Sequence, residues 1–332
     1  MKNTSRNIYM DILKGYAIII VVLGHCIQAV YSDWSRLDAE KMIIMFHMPL
    51  FMAISGYFAA SSLKKYTITE LIKKRFIQLM LPSLSMGLLN VMIIGGGKII
   101  KGKILELDYF CELLFTGLWF LTTLFVLYFI AAVLQRYIKS KYRIIAWLMI
   151  YIVLYFLPDI WVFNNLEFLC PFFVIGMMTS SLKWEKTNIW MFLGALIVFI
   201  CCFQYYDFSC SLYAMGDDCL NTDYLNKTIL RLISGMSGCI ISLYLIKIVS
   251  SIKVPKLISC IATLGTLTLP IYVLHQKFLT PFRFISLGQC NISILILITI
   301  ADVLISIWLY KLLRKNKYVA LLIFGEKSKI NN

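Results

Sequence analysis

Apolar runs close to 20 residues long recur down the whole chain, and nothing else limits its fold so strongly. Each is about the length a helix needs to cross the hydrocarbon core of a bilayer. Of the 332 residues, 60% are hydrophobic, a larger share than an ordinary soluble domain carries. Lipid offers no partner to backbone N–H and C=O groups, so runs of this kind must close their hydrogen bonds internally, as helices. The pattern predicts ten spans, near 12–31, 41–62, 74–95, 117–134, 143–157, 165–182, 188–204, 228–248, 256–279 and 290–313. The fifth and seventh are short, which leaves nine or eleven open. The expectation is an all-α polytopic bundle forming a single transmembrane domain over 1–332, with no appended soluble domain and no low-complexity linker.

The net charge of +15 is placed by topology and does not signal nucleic acid. Lys and Arg concentrate in alternate loops, above all at Lys64, Lys65, Lys73, Lys74 and Arg75, and the acidic residues gather in the others. By the positive-inside rule both termini are cytoplasmic. The basic lead and first apolar run resemble a signal peptide only superficially. Lys14 and His25 interrupt the run and no small-residue cleavage site follows, so the first span is expected to be uncleaved. Most of the ten cysteines lie in apolar spans, as small hydrophobes would. Cys210 and Cys219 fall in the outer loop 205–227, where a disulfide is open to them. No Cys/His spacing suits a metal.

Charged and titratable residues inside spans are costly and default to functional candidates. Lys14 and His25 share the first span, eleven residues apart. That is roughly 1100° of helix, so both fall on one face about 16 Å apart along the axis. Asp11 lies on the same face, one turn below Lys14, and is a candidate ion-pair partner for it. The three histidines, His25, His47 and His275, all fall within about 10 Å of the outer edge by this topology. Trp119, Glu167 and Arg231 fall in the same layer, although interfacial placement alone accounts for a tryptophan there. Lys73, Lys74 and Arg75 open the third span on the cytoplasmic side, where topology alone explains their charge. Pro49 is expected to kink the second span, and Gly56 to admit a close neighbour, either backbone or ligand.

These residues carry a resemblance. Asp11-Ile12-Leu13-Lys14-Gly15 followed by His25 is similar to the opening motif of the membrane acyltransferase-3 family. Phe46-His47-Met48-Pro49-Leu50-Phe51 with Ser55-Gly56-Tyr57 resembles its second-span motif, and Leu118-Trp119-Phe120-Leu121 its fourth-span motif. Pro270-Ile271-Tyr272-Val273-Leu274-His275 resembles its late Tyr-x-x-His motif. The matches come in the family's order and cover about residues 7 to 315. The resemblance implies a bacterial cytoplasmic-membrane O-acyltransferase. Such an enzyme carries an acyl group, often acetyl, from cytoplasmic acyl-CoA to a surface-polysaccharide or lipid-linked sugar. It implies no bound cofactor, acetyl-CoA or another acyl-CoA being the donor substrate. The implied partners are membrane lipid, the acyl-CoA and the glycan acceptor. By matched position His25 is the essential histidine and Lys14 helps to hold acyl-CoA. The family's Arg-x-x-Arg at the third span is only half present, as Arg75 followed by Gln78, with Lys74 or Lys73 as a partial substitute.

The spacing permits one mechanism in outline. Phosphates anchored near Lys14, Arg75 and Lys74 leave the flexible arm of CoA to carry the thioester up to His25. There His25 serves as general base or as nucleophile. Asp11 is too far below to orient it, which leaves His47, Ser55, Trp119, Glu167 and His275 as supporting or orienting groups. Asp11, Pro49 and Gly56 are structural residues near the site. A proton-coupled transporter or glycan flippase, relaying protons through Lys14, Asp302 and the histidines, is the alternative. The absence of an internal repeat counts against it. A lipid-modifying O-acyltransferase built on His275 would leave the motifs of the first two spans unexplained.

Overall fold

A computed structural model describes residues 7–100, 102, 106–157, 163–211, 219–252, 254–279 and 292–327, and contains no strand among them. The chain runs through α1 (Ile8–Val30), α2 (Asp38–Lys65), α3 (Ile68–Lys98), α4 (Leu107–Thr116) and α5 (Trp119–Tyr137). It continues through α6 (Arg143–Tyr155), α7 (Phe163–Met178), α8 (Ile189–Tyr205) and α9 (Thr222–Ser251). The last helices are α10 (Pro255–Thr266), α11 (Thr268–Leu279), α12 (Ile292–Leu313) and α13 (Lys317–Phe324). Among the described residues six helices, α1, α2, α3, α5, α9 and α12, are long and apolar enough to cross a membrane. A seventh is added if the α10–α11 pair counts as one. The other three expected spans are helices of 13, 16 and 17 residues, α6, α7 and α8, the first two shorter than the expectation had them.

Two differences from the expected spans have a physical cause. α2 passes through Pro49 without a break. The sharp bend lies instead in the span expected over 256–279, where α10 and α11 meet at 82°. Pro270 has no N–H for the Thr266 carbonyl, and its ring crowds that same carbonyl, so the helix ends there and restarts. Leu267 at the joint leaves helical geometry (φ −106°, ψ 15°).

The chain divides into two compact units. The first holds residues 1–54, 181–215 and 222–310. α1 is its axis, with Ile12, Leu13, Ala17, Ile18, Val22, Cys26 and Ile27 fully buried, and α9, α10 and α11 pack around it. Gly15 and Gly265 explain how close α1 and α10 come. A Cβ on Gly15 would land on the Ile261 carbonyl, and one on Gly265 on the Asp11 carbonyl. α12 shows the inside-out pattern of a membrane helix. Leu297, Leu304 and Trp308 are exposed, while Thr299, Asp302 and Ser306 are buried on the opposite face.

The second unit holds residues 55–180, 216–221 and 311–332. α3 packs on α4 and α13, and α7 on α5 and α6. α3 is continuous but contains a π-helical turn over Phe76–Met80, just before Pro82, the usual local adjustment where a helix loses a backbone bond. Gly56 allows a close approach, as expected. The neighbour is backbone, because an added Cβ would meet the Phe173 carbonyl of α7.

Candidate functional site

Asn7 caps α1 by accepting a hydrogen bond from the Met10 N–H at 3.2 Å, which starts the helix and sets the register of its polar stripe. At the lower end Lys14 Nζ and Asp11 Oδ1 form an ion pair of 2.7 Å. Asp11 is therefore the partner of Lys14.

Fourteen residues on from Asp11, His25 sits at the centre of a hydrogen-bonded chain within the first unit. Its Nδ1 lies 3.1 Å from Gln28 Oε1, and Gln28 Nε2 donates to Glu40 Oε1 at 2.6 Å. Its Nε2 lies 3.3 Å from the Gln276 Nε2 amide. An amide nitrogen can only donate, so His25 Nε2 accepts there and Nδ1 carries the proton. His25 thus presents a lone pair on Nε2, the form a general base needs. Glu40 lies beside Gly24 of α1 as it reaches this network. A Cβ on Gly24 would stand 3.6 Å from Glu40 Oε2 and 3.0 Å from Ile43 Cγ2.

The His275 ring lies 5.1 Å from that of His25, centroid to centroid. It is fully buried, packs 5.8 Å from the Tyr272 ring, and donates from Nδ1 to the Ile271 carbonyl. Among the described residues its Nε2 has no hydrogen-bond partner. His47 is held the same way, Nδ1 donating to the Ile43 carbonyl at 2.7 Å. Both rings are thus fixed by the carbonyl one turn back, whereas His25 is fixed by a side chain. Of the three histidines expected at one depth, His25 and His275 are in direct ring contact, and His47 lies near enough to interact electrostatically with His25. Cys26, beside His25, faces Thr299 and Asp302. Asp302 is fully buried, accepts from Ser306 at 3.4 Å, and has no partner at Oδ2 among the described residues.

The remaining candidates lie apart from this network or in the second unit. Arg231 on α9 is buried and donates to Thr228 Oγ1 at 3.2 Å. In the second unit Arg75 donates to Gln78 Oε1 at 2.9 Å and Ser62 Oγ at 2.7 Å, and lies 4.3 Å over the Tyr128 ring. Gln78, where the family pattern has its second arginine, is therefore a ligand of the first. Lys74 donates to Tyr66 Oη at 2.8 Å and covers the same ring. Glu167 on α7 is buried and accepts from Tyr151 Oη at 3.3 Å. Trp119 opens α5, and Ser55 lies on the second half of α2. Cys210 and Cys219 are free thiols, so the disulfide left open for them does not form. No group of three or more His, Cys, Asp or Glu among the described residues is arranged to hold a metal.

Gln28, Glu40 and Gln276 were not singled out from sequence. Glu40 reads as an ordinary acidic residue of a helix first turn, and nothing in the chain pattern announces that it is 1% exposed. Gln28 had a usable signal, lying one turn beyond His25 on the same face. Gln276 follows directly on the motif histidine.

A half-buried imidazole in ring contact with a second, fully buried histidine, in an all-helical membrane chain, is an arrangement suited to activating a hydroxyl or accepting an acyl group. The profile of the acyltransferase domain of the acyltransferase-3 family matches residues 7–311, and the chain belongs to that family. Two curated relatives are similar to it, each a nodulation protein NolL. The one from Sinorhizobium fredii is 28% identical over 246 residues, covering 70% of this chain and 66% of the relative. The one from Mesorhizobium japonicum is 28% identical over 208 residues, covering 59% of this chain and 54% of the relative. The chain thus spans less than two thirds of the length of these relatives. No solved structure matches it.

Proposed function

We propose that the protein is an integral-membrane O-acyltransferase of the cytoplasmic membrane. It moves an acyl group, acetyl in the first instance, from cytoplasmic acyl-CoA to a hydroxyl of a surface-polysaccharide or lipid-linked sugar. The chain crosses the membrane ten times with both termini inside. The observation that carries this reading is the placement of His25, its Nδ1 3.1 Å from Gln28 Oε1 and its Nε2 3.3 Å from the Gln276 amide, which suits a proton on Nδ1 and a lone pair on Nε2.

In this mechanism His25 Nε2 takes the proton of the acceptor hydroxyl as its oxygen attacks the thioester carbonyl. The tetrahedral intermediate collapses, the C–S bond breaks, and the CoA thiolate receives the proton back from Nε2. General-base assistance of this kind contributes about 10²- to 10⁴-fold. Lys14 and Arg75 hold the donor's phosphates, with Lys74 in support. Gln78, lacking charge, serves by holding the guanidinium of Arg75 in place.

The test is acyl transfer from radiolabelled acetyl-CoA by membranes carrying wild type, His25→Ala or Lys14→Ala. Label should enter the glycan fraction with wild type, fall at least about 100-fold with His25→Ala, and need more donor with Lys14→Ala. Glycan export that depends on the protein while no acyl-CoA is consumed would overturn the reading in favour of a transporter.

A further inference from the structure

We propose that Glu40 is a positioning residue for His25, acting through the Gln28 amide. This rests on the reading of His25 as the reactive base and extends it to the group that sets the state of its ring. Histidine has two neutral tautomers, and only one leaves the lone pair on Nε2. What the partner of Nδ1 presents decides between them, and an amide can present either its oxygen or its NH₂.

Glu40 removes that ambiguity. In its ionised form the Glu40 carboxylate accepts and cannot donate, so in that form the Gln28 atom 2.6 Å from Glu40 Oε1 is the NH₂. Gln28 Oε1 is then turned to His25, and Nδ1 must hold the proton. The Gln276 amide, on a different helix, agrees by donating to Nε2. Glu40 is well placed to act as an anchor. It is 1% exposed and it projects from the first turn of α2. When Nε2 takes a proton, the imidazolium stays hydrogen-bonded to Gln28, whose amide is polarised by the Glu40 charge. No proton passes to Glu40, because the amide between them does not relay one.

The experiment reads the His25 ring directly, with the full chain in detergent micelles and diethyl pyrocarbonate as probe. This reagent acylates a neutral ring nitrogen through its lone pair and releases ethanol and carbon dioxide. The chain has three histidines, so mass spectrometry of peptides follows each separately. Glu40→Gln keeps the shape and removes the orienting charge, and Gln28→Leu removes the bridge. Each is expected to slow carbethoxylation of His25 about tenfold and leave His47 and His275, which are held by backbone carbonyls, within twofold. The exchange Gln28→Glu with Glu40→Gln puts the carboxylate on Nδ1 itself and is expected to restore the rate. An unchanged His25 rate in the single variants, all three histidines slowing together, or no recovery in the exchange would each overturn the proposal. Because the readout is ring chemistry, it holds even if membranes transfer no label, and transfer surviving His25→Ala would sink the functional reading alone.

Discussion

The Gln276 amide reaches His25 Nε2 at 3.3 Å, so the nitrogen assigned to take a proton is covered by a hydrogen-bond donor in the resting protein. An acceptor hydroxyl must displace that amide before it can be activated. A neutral hydrogen bond of this kind is worth about 0.5–1.5 kcal/mol net. Replacing Gln276 by Leu should therefore speed carbethoxylation of His25 by roughly three- to tenfold, read by the same peptide mass spectrometry. A slower or unchanged rate would mean that the amide does not guard the ring.

The close approach of α1 and α10 gives a stability prediction. Gly15→Ala and Gly265→Ala each drive a methyl into a facing backbone carbonyl, which cannot rotate away as a side chain could. Overpacking of this kind costs about 1–3 kcal/mol or more. Gly96→Ala and Gly97→Ala are the controls, since nothing lies within 4 Å of an added Cβ at either position. Thermal unfolding in detergent should separate the two pairs by several degrees.

Arg75 is held by a fork and a face at once: Gln78 and Ser62 take separate guanidinium nitrogens, and Tyr128 lies beneath. Lysine offers a point charge without the planar fork. Arg75→Lys should weaken the second unit by about 1–2 kcal/mol, from one lost hydrogen bond and a weakened cation–π contact. The same variant should raise the donor KM in the transfer assay. A normal melting temperature with a raised KM would assign Arg75 to the donor alone.

The topology can be checked without any substrate. A phosphatase reporter fused after Lys65 should be inactive and one fused after Tyr206 active, while a cytoplasmic fluorescent fusion should show the reverse. The opposite pattern would place Lys14 on the outer side and remove it from donor binding.

The helices were legible because periodicity and span length are imposed by the bilayer on every residue of a run, whereas the sequence leaves the ring against His25 open among several candidates, and it is His275. Lys14 and Asp11 were legible for a local reason, since residues one turn apart on a helix must meet. The 82° bend before Pro270 was not expected, a kink being expected only at Pro49. Pro49 and Pro270 look alike in sequence, yet α2 continues through the first and the helix stops before the second. Tertiary packing decides which lost hydrogen bond is tolerated. Glu40 was illegible because its role depends on its reaching Gln28 of α1, a contact between helices that no spacing along one helix encodes. Gln78 was noted only as a missing arginine, and its bond to Arg75 shows what a departure from a motif can supply.

The ion pair between Lys14 and Asp11 makes anion capture at this point a competition. An arriving phosphate meets a cation that already has a ligand, so the free energy available is the difference between two bonds and not the full strength of one. Weak monovalent anions gain nothing from the trade and are turned away, whereas a multiply charged group with several oxygens can win it. Asp11 then works as a threshold, setting how strong an anion must be before Lys14 will let go.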